Sequence, residues 1–168
     1  MKKLTLSIII CCLVLVACQD KPAERDKQGK ITLSFSSEGQ FKIAQFTDTH
    51  WNDSSDNCAK TIQSIKYVLE SEKPDIAILT GDIVTEPPAK ESWYRIAKIF
   101  EEAKIPWCVT LGNHDAEIDV ANRSEIFSII DTLPYFIGER GLENIEGAGN
   151  YVLPVKASNS EKIAALLY

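Results

Sequence analysis

The sequence predicts an α/β protein, because short apolar runs alternate with amphipathic stretches and polar, ligand-type residues fall where the runs end. Asp75–Leu79 (DIAIL) and Ile105–Leu111 (IPWCVTL) are short and apolar, as expected of strands buried on both faces. The segments between the runs place apolar residues at three- and four-residue spacing, the period of a helix. Strand, helix, strand, helix, strand implies crossover connections and a parallel sheet, in which ligands bind beyond the carboxyl ends of the strands.

In chain order, Ile31–Phe35 alternates apolar and polar, Ser36-Ser37-Glu38-Gly39 is turn chemistry, and Phe41–Phe46 continues as a strand. This pattern predicts an opening hairpin. Asn57–Lys73 carries Ile62, Ile65 and Leu69 on one helical stripe, and Pro74 ends it. The strand at Asp75–Leu79 follows, and Lys90–Lys104 repeats the stripe with Trp93, Ile96, Ala97 and Phe100. After the strand at Ile105–Leu111, Ser124–Leu133 reads as a shorter helix. Asn150–Lys156 and Lys162–Tyr168 read as a hairpin beginning a second sheet. The sequence stops inside an apolar strand, from which a truncated product or fragment, with its C-terminal part missing, is the expectation.

Three sections divide the chain: residues 1–17 as a signal, 18–30 as a flexible tether and 31–168 as one folded domain. Lys2 and Lys3 precede the apolar stretch Leu4–Val16, which is shorter than the roughly 20 residues needed to cross a bilayer. It closes with Leu15-Val16-Ala17-Cys18, which resembles a bacterial lipobox, with Cys18 the lipidated residue. An ordinary signal peptide or an N-terminal helix is the alternative. Lipidation implies export and anchoring to the cell envelope, with Gln19 pointing to the outer membrane. The tether (QDKPAERDKQGK) has no large apolar side chain with which to order itself. Of five cysteines only Cys58 and Cys108 stay in the domain, without a paired spacing, so neither a zinc knuckle nor a disulfide is expected.

Formal net charge is −6. An acidic chain without a Lys/Arg stripe repels phosphate backbones, which discounts nucleic acid as a partner. A small phosphate ester remains open, because bound cations reverse the local field. No protein partner is evident.

Ligand-type residues cluster at three strand ends: Thr47-Asp48-Thr49-His50, Thr80-Gly81-Asp82 and Gly112-Asn113-His114-Asp115. Side chains alternate along an extended segment, so Asp48 and His50 are expected to point the same way and grip one ion. Asp82 has two carboxylate oxygens and can bridge two cations. Gly81 and Gly112 allow sharp turns close to an ion, and Asn113 offers a neutral carbonyl oxygen. A lone Asp-x-His is a weak signal. Gly-Asn-His-Asp has a chance expectation on the order of one in a thousand. Turn residues and satisfied histidines would be the plain alternative. It does not explain why both histidines of the chain fall at these two places.

These three segments resemble the first three motifs of the calcineurin-like metallophosphoesterase superfamily. The surrounding phrases FKIAQFTDTHW, PDIAILTGDIV and PWCVTLGNHD are nearest to the purple-acid-phosphatase-related branch. The resemblance implies the N-terminal part of a four-layer α/β/β/α sandwich with two metal ions (Fe, Zn or Mn). By matching position, Asp48 and His50 would hold the first metal, Asp82 would bridge both and Asn113 would hold the second. His114 would serve the leaving oxygen as proton donor, oriented by Asp115, while a metal-bridging hydroxide attacks phosphorus. Purple enzymes carry an iron-binding tyrosine three residues after the bridging aspartate, where this chain has Thr85. The family completes its site with later histidines, whereas this chain has only His50 and His114. The implied function is hydrolysis of phosphate monoesters or diesters, impaired in this chain. A half-built sandwich would leave the inner face of its sheet bare. The alternatives are a non-catalytic metal- or ligand-binding lipoprotein and, against the charge balance, a nuclease.

Overall fold

The computed structural model describes residues 23–52, 55, 57–117 and 121–168. The expected signal and lipobox, Cys18 included, lie outside them. Strand β1 (Leu33–Ser34) precedes β2 (Ile43–Phe46), α1 (Asn57–Glu72), β3 (Ile76–Thr80), α2 (Ala89–Ala103) and β4 (Trp107–Thr110). A 3-10 turn (His114–Ala116), α3 (Arg123–Ile130), β5 (Leu153–Lys156) and β6 (Ile163–Leu167) follow.

β2, β3 and β4 form the expected parallel sheet in sequence order, with Ile43 opposite Ile76 and Ala77 opposite Trp107. Alternation along the strands sends Ala77, Leu79, Trp107 and Val109 into one core, shared with α1, α2 and α3. Ile76 and Cys108 point the other way and meet Leu33, Leu153 and Val155 of a second sheet, ordered β1-β5-β6. Helices, sheet and sheet thus stack as three layers of the expected sandwich. The inner face of the parallel sheet is not bare, because β1 and β5 cover it.

The helices form for the reasons their patterns give. α2 buries Trp93, Ile96, Ala97 and Phe100 along one stripe, each large side chain contributing about 1.5–3 kcal/mol. It stops where Lys104 turns left-handed and returns its N–H to the carbonyls of Glu101 and Phe100. α3 opens on a capping box in which Asn122 and Glu125 exchange side-chain and backbone hydrogen bonds. α1 buries Ile65 and Leu69 and yields to Pro74.

Two further expectations need correction. The opening hairpin does not form: β1 pairs in parallel with β5, Leu33 opposite Val155, while β2 joins the other sheet. Local turn chemistry at Ser36–Gly39 reverses the chain, but the pairing partner lies more than 100 residues away. Residues 23–30 are not a free tether either. Arg25 bridges Ile31, donates to the carbonyls of Gly29 and Pro134 and lies over the Tyr135 ring. Asp26 Oδ1 accepts from the amides of Gln28 and Lys30. Polar bonds fasten this segment where apolar burial could not.

β4 also carries a cross-link. The Tyr151 hydroxyl, just ahead of β5, donates to the Val109 carbonyl at 2.6 Å and accepts from the Val109 amide at 3.1 Å.

Candidate metal centre

β2 ends at Phe46, and the next residues leave the sheet beside the loop that follows β3. The amides of Asp48, His50 and Trp51 donate to the carbonyls of Gly81, Asp82 and Ile83 at 3.1, 3.0 and 2.8 Å. Thr47 Oγ1 adds a bond to the Thr80 carbonyl and Thr49 Oγ1 one to the Ile83 carbonyl. Trp51, only 2% exposed, anchors the far end of the loop in the core.

Asp48, His50 and Asp82 all have positive φ (51°, 43° and 53°), a region that costs most residues energy and that clusters at functional sites. The expected reason for Asp48 and His50 facing together, alternation along a strand, is therefore not the one at work. Two left-handed residues separated by Thr49 bring them to the same side. One ligand atom from each of Asp48, His50 and Asp82 can be chosen so that all lie within 4.8 Å of one another. His50 Nε2 stands 3.9 Å from Asp48 Oδ1. Two carboxylates and an imidazole suit zinc, manganese or iron, and the spacing lets the three converge on one ion.

The third strand end closes on this group. Asp82 Oδ1 accepts from the His114 amide at 3.0 Å, leaving its other oxygen to a ligand. Gly81 and Gly112 let the two loops touch. A Cβ on Gly112 would lie 2.2 Å from Asp82 Oδ1 and 2.6 Å from the Asp82 amide nitrogen. The His114 ring centroid is 5.8 Å from that of His50. Asn113 begins the 3-10 turn, exposed and adjacent to His114.

Asp115 departs from its expected part. Its buried carboxylate accepts four backbone amides: Asp82 and Gly112 on Oδ2 at 2.9 and 2.8 Å, Ile83 and Val84 on Oδ1 at 2.8 and 3.0 Å. With both oxygens so engaged it clamps the Asp82 loop rather than orienting His114. The His114 ring instead offers Nδ1 to Glu117 Oε2 at 2.5 Å. Sequence reasoning passed over Glu117 and also Arg123, whose Nη2 donates to the Gly112 carbonyl at 2.8 Å. The signal for Glu117 was its three-residue offset from His114 across one 3-10 turn.

The arrangement agrees with comparisons to known proteins. The family model described as calcineurin-like phosphoesterase matches residues 41–163. "Probable inactive purple acid phosphatase 29" of Arabidopsis thaliana is 30% identical over 78% of this chain and 39% of its own length. "Phosphatase DCR2" of Saccharomyces cerevisiae is 29% identical over 80% of this chain and 27% of its own. "Uncharacterized protein C1020.05" of Schizosaccharomyces pombe is 29% identical over 77% of this chain and 29% of its own. The match therefore spans well under half the length of these relatives. Motifs, layered fold and donor cluster agree with the family match, and this chain belongs to the calcineurin-like phosphoesterase family, whose members use divalent metal ions.

Proposed function

We propose that this chain carries the metal-dependent hydrolysis of phosphate esters, monoesters or diesters, at an impaired level with the one three-donor group found among the described residues. The observation that supports it most is the convergence of Asp48, His50 and Asp82 at the carboxyl edge of a parallel sheet, with His114 alongside. Asp48, His50 and Asp82 would hold the first ion, with Asp82 and Asn113 reaching a second. When bound, the ions supply Lewis-acid polarisation of the phosphoryl group and acidify water. The protein's own groups do the rest. His114 would pass a proton to the leaving oxygen, and Asp115 holds the Asp82 loop through four amides. The site is open to solvent, with Asp48 and His50 exposed, which suits a small ester. Ahead of the domain, Lys2, Lys3 and the Leu15–Cys18 segment support export and lipid anchoring to the cell envelope.

A second reading is metal binding without turnover. The cluster of three donors amounts to one ion's worth of ligands, and two of the relatives carry "inactive" in their names.

The chain, supplied with manganese or zinc, would be assayed on mono- and bis-aryl phosphates while metal content is read by elemental analysis. Turnover that falls with Asp82→Asn together with bound metal supports the hydrolase. His114→Ala should keep the metal and lose turnover of esters with poor leaving groups. Stoichiometric metal with no turnover on either ester selects the second reading, and absence of metal binding ends both.

A further inference from the structure

The hydrogen-bond partner of His114 is a residue that neither the motifs nor the family match brings forward. One 3-10 turn separates His114 from Glu117, and three residues per turn eclipse side chains at that offset. The result is the 2.5 Å approach of Glu117 Oε2 to His114 Nδ1. Asp115 cannot serve, because four backbone amides occupy its oxygens. An ionised carboxylate only accepts, so the shared proton sits on Nδ1 and the ring keeps Nε2 for other work. Both side chains are about half exposed, at 46% and 54%, and the ring lies beside His50 of the donor cluster. Nε2 is therefore the nitrogen available to a ligand at that cluster.

We propose that Glu117 is the positioning residue of the site. It holds His114 in the Nδ1–H form and fixes the ring so that Nε2 serves the ester's leaving oxygen. This rests on the hydrolase reading above. In the step it assists, water oxygen bonds to phosphorus and releases one proton to solvent, and the bond from phosphorus to the leaving oxygen breaks, its electron pair staying on that oxygen. The Nε2 proton transfers to that oxygen, the ring is left neutral with Nδ1–H still donated to Glu117, and solvent returns the proton to Nε2.

The chain has only two histidines, so the imidazole nitrogen spectrum of the full ¹⁵N-labelled, metal-free chain holds two rings, and His114→Asn tells them apart. In its neutral-ring form, wild type should show His114 protonated on Nδ1. Glu117→Ala should move that proton to Nε2, while Glu117→Gln, whose amide oxygen still accepts, should keep it on Nδ1. An unchanged tautomer in Glu117→Ala overturns the proposal. With metal added, Glu117→Ala should lower kcat on an ester with a poor leaving group about 10- to 100-fold, with KM and metal content unchanged and a smaller loss on an activated ester. Equal losses on both esters, or loss of metal, would also overturn it. If wild type turns over neither ester, the hydrolase reading fails while the tautomer still decides whether Glu117 sets the ring.

Discussion

Replacing Asp115 by alanine would strip one carboxylate from the amides of Asp82, Ile83, Val84 and Gly112. Asp115 is 6% exposed, so water reaches those amides poorly, and each buried donor left unpaired costs about 1–3 kcal/mol. Asp115→Ala should therefore lower stability by more than about 3 kcal/mol in urea unfolding of the metal-free protein. Asp115→Asn should lose less, because one oxygen can still accept from two of the four. A loss below about 1 kcal/mol for alanine would mean that the clamp is incidental. The side chain that the motif offers as catalytic is thus predicted to show its effect before any substrate is present.

At the scale of elements, the ends of β3 and β4 are held by contact between Gly81 and Gly112. A Cβ at Gly112 would occupy the space of Asp82 Oδ1, so Gly112→Ala must displace the ligand carboxylate. Metal affinity should fall at least about tenfold in a calorimetric titration, the lower end of what disturbing a ligand's support costs. Gly39→Ala, where nothing lies within 4 Å, should leave metal affinity unchanged. Equal affinity in Gly112→Ala and wild type would refute the contact argument. The same elements show what the sequence disclosed. Helices α1, α2 and α3 were legible from stripes such as Trp93, Ile96 and Phe100, because a helix buries its face through local spacing. The β5–β6 hairpin was legible for the same reason, its strands being neighbours in sequence. β1 was misread because its partner Val155 is remote, and strand pairing carries no local trace of register. The donors were legible by type, while the left-handed backbone that aims Asp48 and His50 was not. Glu117 takes the part expected of Asp115 because hydrogen-bond geometry, rather than adjacency in the motif, selects the partner of His114.

Across the whole molecule, Cys108 and Tyr151 lie where the two sheets meet. Burial pushes the Cys108 thiol up to about 11 and raises the Tyr151 phenol as well. Both groups hold their protons longer folded than unfolded. The thiol's contribution to stability is complete below its unfolded value near 8.5 and is lost as pH rises toward 11, while the phenol's starts to go only above its unfolded value near 10. Urea midpoints should therefore fall between roughly pH 8.5 and 11, the thiol accounting for at most about 3 kcal/mol. Cys108→Val should flatten part of that slope, and an unaltered slope would count against the thiol. Tyr151→Phe should cost about 1–3 kcal/mol at neutral pH by orphaning the Val109 amide and carbonyl. At the other end of the chain, a fatty-acid probe should label wild type and not Cys18→Ser, and equal labelling would remove the lipid anchor.

The interlaced loops after β2 and β3 have a thermodynamic consequence. The uncommon backbone angles of Asp48, His50 and Asp82 are held by amides from one loop on carbonyls of the other. Capturing an ion then requires little further folding. Ion capture should bury almost no apolar surface, so its heat-capacity change should be close to zero, unlike a site that orders a segment as it fills. Titrations at several temperatures should give nearly parallel enthalpies. A steeply negative temperature slope would show instead that the loops order only around the ion.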